Sequence, residues 1–277
     1  MMDADGGDGN EGSPWDELSP PEGTALAVCV GNTSIAVGRI EGLSIQGVTR
    51  FPADDADAVA QAAAALANAL DEPPDTALLA GVHRGHARTV ARALTDRGLV
   101  VVPFGPAMPV PIATEVDDAA QVGQDRLLTA LGAFQRVRQA CIVVDAGTAV
   151  TVDFIDGAGV FHGGAILPGA GMMLRALHQG ADALPIAELA DMPDPLEPFG
   201  RNTAHAMLLG VRAAIAGAVR TLAERYAEFY EAYPQIIATG GDAPTLLGDD
   251  ELIEAVVPEL ELLGVAVARA RLTAELG

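Results

Sequence analysis

The chain has 277 residues, half of them apolar, and a formal net charge of −22 with a pI near 4.3. That much negative charge excludes a surface built for nucleic acid. All 16 basic side chains are arginine, which excludes a Walker-type P-loop kinase, a kinase fold built on a strand lysine, and any Schiff-base enzyme.

The acidity and the missing lysine read as a compositional or salt-adaptation bias rather than as a surface for one partner. The length suits two modest domains with ample core. Cys29 and Cys141 both sit in apolar, strand-like runs and read as buried thiols of a reduced protein, not as a disulfide or a zinc site. The acidic N-terminus lacks an apolar core segment, and no apolar run reaches the length of a membrane span. The expectation is a cytoplasmic protein with no membrane partner.

Residues 1–23 are rich in Asp, Gly, Glu and Pro and read as a disordered acidic tail, with Trp15 its one aromatic. The pattern then predicts strands at 25–30, 34–40 and 44–51, a helix over the alanine-rich 55–71, and a strand at 76–80. A helix over 84–97 and a strand at 99–103 complete the first unit. Pro103, Pro106, Pro109 and Pro111 make 103–120 a crossing segment. The second unit opens with a helix from about Val122 to Arg138. Strands at 140–145, 149–155 and 160–167 follow, then helices, a strand at 235–239 and terminal helices.

The longest helix, from about Asn202 to Tyr230, carries Met207, Val211, Ile215, Val219, Leu222, Tyr226 and Phe229 as one apolar stripe. Gly210, Ala214 and Gly217 leave a smooth patch on it, open equally to packing within the chain and to a second copy. Three meandering strands followed by alternating helix and strand, given twice, imply an α/β chain of two ribonuclease-H-like domains. Each would be a mixed five-stranded sheet flanked by helices, one over residues 24–120 and the other over 121–277.

Three glycine-rich turns stand where such a fold can use them. Gly31-Asn32-Thr33 and Ala146-Gly147-Thr148 each join two apolar, β-branched runs as hairpins. Glycine lets the backbone approach a ligand closely, threonine adds a hydroxyl, and Asp145 can hold a cation near an anion cradled there. Thr239-Gly240-Gly241-Asp242 follows an apolar strand and precedes a helix, where a flat ring or a phosphate can lie against the main chain. Gly123-Gln124-Asp125-Arg126 sits at a helix start. It reads either as a carboxylate favoured by the helix dipole with a surface arginine, or as a general base, Asp125, beside an anion clamp, Arg126. His83 and His86 lack further metal ligands nearby and read as a helix start. His162 is expected to pack at a strand end, His178 and His205 to hydrogen-bond locally, and Asp153 and Asp156 to serve as turn residues.

Taken in order, Gly31-Asn-Thr33, Gly123-Gln-Asp-Arg126, Asp145-Ala-Gly-Thr-Ala149, Gly163-Gly-Ala-Ile-Leu-Pro-Gly169, Ala176-Leu-His178, Ala183-Leu-Pro185, Gly200-Arg-Asn-Thr203 and Thr239-Gly-Gly-Asp242 resemble the type III pantothenate kinases. That family belongs to the superfamily of actin, heat-shock ATPases and sugar kinases. The likeness runs from residue 25 onward and is densest over 122–243. It implies ATP-dependent phosphorylation of pantothenate to 4′-phosphopantothenate, the first step towards coenzyme A, by a homodimer. Gly31, Asn32, Thr33 and Thr148 inherit the ATP phosphates, and Thr239, Gly240 and Gly241 the adenosine side. Asp125 inherits the role of catalytic base. Gly123, Gln124, Asp125, Arg126 and Thr203 inherit pantothenate, Thr203 from the partner subunit. Asp145 inherits a monovalent cation, potassium or ammonium, and Mg²⁺ accompanies ATP.

Two positions depart from the family pattern. Its first hairpin opens with an aspartate on the magnesium–phosphate side, where Cys29 stands here, and a thiol is no substitute for a carboxylate towards a hard cation. A family tyrosine on the pantothenate side aligns near Val116. These departures leave two alternatives open: a weak or inactive paralogue that binds a nucleotide or related ligand as a regulator, and a kinase for another small hydroxy acid.

Overall fold

The computed structural model describes residues 18–68, 73–194 and 197–276. Trp15, the end of the helix expected over 55–71 and most of the acidic tail lie outside the described residues. Residues 18–23 lie against the body of the protein. Leu18 packs on the core, and Arg269 donates to the carbonyls of Glu22 and Gly23 at 3.0 and 3.1 Å.

Two five-stranded mixed sheets form, as the strand pattern implies. In the first, β1 (Thr24–Val30), β2 (Ser34–Glu41) and β3 (Ser44–Pro52) make an antiparallel meander. β4 (Thr76–Gly81) and β5 (Val100–Pro103) add to it in parallel, giving the order β3-β2-β1-β4-β5. Helices α1 (Ala56–Asn68) and α2 (Arg84–Thr95) cover one face.

In the second sheet, β6 (Cys141–Ala146), β7 (Ala149–Ile155) and β8 (Phe161–Pro168) repeat the meander. β9 (Gln235–Thr239) and β10 (Ala255–Val256) run parallel, in the order β10-β9-β6-β7-β8. β10 was not predicted, because two residues carry no alternation to read.

Helix α3 (Gln124–Val137) follows the proline-rich crossing, then α4 (Ala170–Gly180), α5 (Thr203–Tyr230), the short α6 (Ala243–Leu247) and α7 (Leu260–Leu276). α7 returns to the first sheet and packs on α3, so both helices lie between the two sheets. The burial pattern shows it. Ala25, Ala27 and Cys29 of β1 share one cluster with Leu128 and Leu131 of α3, Cys141 and Val143 of β6, and Val265 and Ala268 of α7. The helices cross closely because glycines meet backbone: a Cβ on Gly132 would strike the Leu260 carbonyl, and one on Gly264 the Leu128 carbonyl.

α5 corrects one expectation. Its 28 residues are long and apolar enough, by length and composition, to cross a membrane. In the fold it buries Met207, Leu208, Val211, Ile215 and Val219 against the second sheet. The patch of Gly210, Ala214 and Gly217 lies on its exposed side, with open space around both glycines.

Candidate active site

The two hairpin turns, far apart in sequence, meet. Gly31 N donates to the Ser34 carbonyl at 2.9 Å and Gly147 N to the Ala149 carbonyl at 3.0 Å, closing the turns. The Thr33 and Thr148 hydroxyl oxygens then lie 3.1 Å apart. The third turn follows β9, beside β6. Gly240 has φ +93, and a Cβ there would strike the Ala146 carbonyl and the Asp145 carboxylate, so only glycine fits. Together the turns line a cleft of ≈ 390 Å³ between the sheets. Gly31, Asn32, Thr33, Asp145, Thr148, Thr239, Gly240, Gly241 and Asp125 all face it.

The cleft is strongly acidic. Asp125, in the first turn of α3, accepts from the Arg126 amide at 2.9 Å, yet burial raises its pKa above the usual carboxylate value. Asp145 ends β6, and burial together with the Asp125 and Asp153 charges pushes it up to about 6. No donor meets its carboxylate among the described residues. A half-buried carboxylate with no donor of its own, beside turns shaped for an anion, fits a bound cation.

Arg126 is placed differently from the sequence expectation. Its guanidinium is paired with Asp153 rather than presented to the cleft. Nε donates to both carboxylate oxygens of Asp153, at 3.2 and 3.1 Å, and a terminal nitrogen also bonds one of them. Asp153 is therefore no turn residue. It sits inside β7, 2% exposed, with a pKa raised by burial in spite of the arginine. Gly164 on β8 leaves it room, since a Cβ there would meet the Asp153 carboxylate at 2.5 Å. Arg126 also lies over the Phe161 ring, 5.6 Å from its centroid. Asp156 does serve a turn: its carboxylate accepts from Ala158 N and Val160 N, both at 2.9 Å, and holds His162.

Gly123, Gln124 and Arg126 do not line the cleft, although Asp125 beside them does. Thr203 is exposed at the start of α5, where Asn202 caps the helix, and does not line the cleft of its own chain. Val116 packs near Gly163 at the start of β8. His83 caps α2 by accepting from His86 N at 3.1 Å, the helix-start role expected of it. His178 bonds the Leu184 carbonyl at 2.7 Å.

Sequence reasoning missed Glu261, Glu259, Arg50 and Arg175, which also line the cleft. Glu261 lies in the first turn of α7, hydrogen-bonded to the Cys29 thiol. Burial, then the charges of Asp125 and Asp145, push it up to about 8. Burial is also the main cause that raises the Cys29 thiol well above its usual value, so Cys29 stays protonated. Arg50 on β3 donates to the Pro258 carbonyl at 2.6 Å and ties down the start of α7. The one sequence signal for Glu261 was a lone acid among Leu260, Leu262 and Leu263.

Comparison with known proteins points to one family. The sequence profile described as type III pantothenate kinase matches residues 25–225. A type III pantothenate kinase of Rhodopirellula baltica is 44% identical over 176 residues, 61% of this chain but only 62% of that relative. One of Rubrobacter xylanophilus is 30% identical over 259 residues, covering 88% of this chain and 97% of the relative. Among solved structures, the activator of 2-hydroxyisocaproyl-CoA dehydratase from Clostridium difficile, with bound ADPNP, matches with a TM-score of 0.58 at 11% identity. That match covers 92% of this chain and 98% of the other, and shows likeness of fold.

Proposed function

The chain belongs to the type III pantothenate kinase family, and we propose from that premise that it transfers the γ-phosphoryl group of ATP to the primary hydroxyl of pantothenate. The product would be 4′-phosphopantothenate, and the step the first towards coenzyme A. One observation carries the reading: Asp125 faces the same cleft as the joined Thr33–Thr148 turns. Phosphoryl transfer asks little of a protein beyond positioning, charge neutralisation and a base, and this cleft offers each.

Asp125 would accept the hydroxyl proton, and its raised pKa suits a base better than an ordinary carboxylate. The turn at Gly31-Asn32-Thr33 and Thr148 would bind the phosphates through main-chain amides and hydroxyls. Thr239, Gly240 and Gly241 would carry the adenosine side. Gly123, Gln124 and Arg126 would shape the pantothenate side, with Arg126 held still by Asp153 rather than free to swing. Asp145 fits a monovalent cation, potassium or ammonium, and Mg²⁺ with ATP would supply charge neutralisation at the transferred phosphate.

A homodimer is supported by exposed Thr203 and by the smooth, uncovered patch of Gly210, Ala214 and Gly217 on the same helix. A cytoplasmic setting suits the two free, buried cysteines. The test is turnover with ATP, Mg²⁺, K⁺ and pantothenate. No product at high concentration of demonstrably folded protein would sink the proposal. Cys29, where the family has a carboxylate, favours a second reading in which the chain binds nucleotide without turnover; calorimetry with ATP separates the two. Val116 favours a different small hydroxy acid, which a substrate panel would reveal.

A further inference from the structure

The cleft is short of positive charge for the anion its turns are shaped to hold. Its walls carry Asp125, Asp145, Asp242, Glu259 and Glu261 against Arg50 and Arg175. Arg50 is already engaged, donating to the Pro258 carbonyl at 2.6 Å and lying 3.8 Å from Glu259. Arg126 is committed to Asp153. A triphosphate would add several negative charges, so cations must enter with it.

At the end of β1 the cleft is lined by the Cys29 thiol, neutral and a poor partner for a hard cation. Directly against it stands Glu261, brought in by α7. The two make a matched pair. The thiol has a proton to give and the carboxylate accepts it, which fixes the glutamate at the cleft wall with acceptor capacity left over. An acid at 29 beside Glu261 would set two carboxylates against each other.

We propose that Glu261 is the carboxylate on the divalent-cation side of the phosphate site, supplying from α7 the charge that β1 lacks at Cys29. Its ligand is a hydrated Mg²⁺ or Mn²⁺ shared with the nucleotide phosphates. Among the described residues no three His, Cys, Asp or Glu side chains gather into a ready-made metal site. That suits magnesium, which is held by one or two carboxylates together with phosphate oxygens and water. The assignment rests on the nucleotide-binding half of the function proposed above.

The test is Mn²⁺ binding to the full chain, followed by electron paramagnetic resonance with saturating AMPPNP, and AMPPNP binding in EDTA. Glu261→Gln keeps the shape and a group for Cys29 but removes the charge. It is expected to weaken Mn²⁺ affinity about ten- to a hundred-fold while leaving metal-free AMPPNP binding and the melting temperature at pH 6 unchanged. Cys29→Asp combined with Glu261→Gln, which returns an acid to β1, is expected to recover most of that loss. A parent chain that binds Mn²⁺ with AMPPNP, and a Glu261→Gln variant that binds them equally well, would overturn the assignment alone. A double variant no better than Glu261→Gln would also count against it. A parent chain that takes no AMPPNP at all would overturn the kinase reading itself.

Discussion

Arg126 and Asp153 form a closed pair, with the arginine Nε donating to both carboxylate oxygens at 3.2 and 3.1 Å. The pair bolts the first turn of α3 to the middle of β7, and so fixes Asp125, the residue before Arg126, at the cleft. Both side chains are largely out of water, 15% and 3% exposed. Removing one partner therefore leaves an uncompensated buried charge. Asp153→Asn is expected to lower unfolding stability by about 3–5 kcal/mol, measured by chemical denaturation. If the variant stays folded, KM for pantothenate should rise more than KM for ATP, because the loosened arginine lies on the Asp125 side of the cleft.

Asp125→Asn tests the base. The amide keeps the shape of the first turn of α3 but cannot take a proton. A loss of about 10²–10⁴ in kcat is expected, with nucleotide binding measured by calorimetry unchanged. In the parent chain, burial raises the Asp125 pKa. The acid limb of kcat/KM should accordingly fall at a pH above the range of an ordinary aspartate. A variant with undiminished kcat would remove Asp125 from the chemistry.

How far the site was legible follows from where its parts lie in sequence. Gly31-Asn-Thr33 and Asp145-Ala-Gly-Thr148 each announce themselves between β-branched runs, because a hairpin is a local event. The turn role expected of Asp153 gives way to a place inside β7, although the alternation of β7 carries the answer. Val150, Val152 and Phe154 face the α5 side, so Asp153 must share the other face, two pairs along from the Asp145–Thr151 pair. What alternation cannot say is which helix covers that face, and hence that Arg126 would meet it. Glu261 lay further out of reach. Locally it is only an acid among leucines, and the return of α7 to β1 is what brings it to Cys29. Cys29 marks where the family has an acid, but no local pattern says which distant element faces it.

The acids of the cleft also set a dependence of stability on pH. Glu261 is raised from 4.5 to about 8 and Asp145 from 3.8 to about 6, so the folded chain holds protons that the unfolded chain has released. Stability from these groups is fully present below their unfolded values and is lost as pH rises through the folded ones. The nucleotide-free protein should melt at a lower temperature at pH 8.5 than at pH 6, and Glu261→Gln should flatten the upper part of that fall. Mn²⁺ with AMPPNP should restore the melting temperature at high pH, since binding to the folded state alone stabilises it. A nucleotide-free melting temperature that climbs steadily from pH 6 to pH 8.5 would contradict the burial of these carboxylates.

The same substitution in two helices should act with opposite sign in the monomer. Gly264 in α7 lies so close to α3 that a Cβ would strike the Leu128 carbonyl, and backbone cannot swing aside as a side-chain tip can. Gly264→Ala must force the two helices apart, at a cost of about 1–3 kcal/mol. Because that crossing sets Asp125 and Glu261 at the cleft from the first turns of α3 and α7, activity should fall with stability. Gly217 in α5 has nothing within 4 Å, so Gly217→Ala gains helix propensity without a clash and should stabilise the monomer by up to about 1 kcal/mol. If a second copy of the chain packs on that patch, the added methyl groups would instead crowd the interface. The melting temperature would then fall, and it would become more dependent on protein concentration. Thermal melts of both variants at two protein concentrations therefore separate a glycine kept for the α3–α7 crossing from one kept for a neighbour.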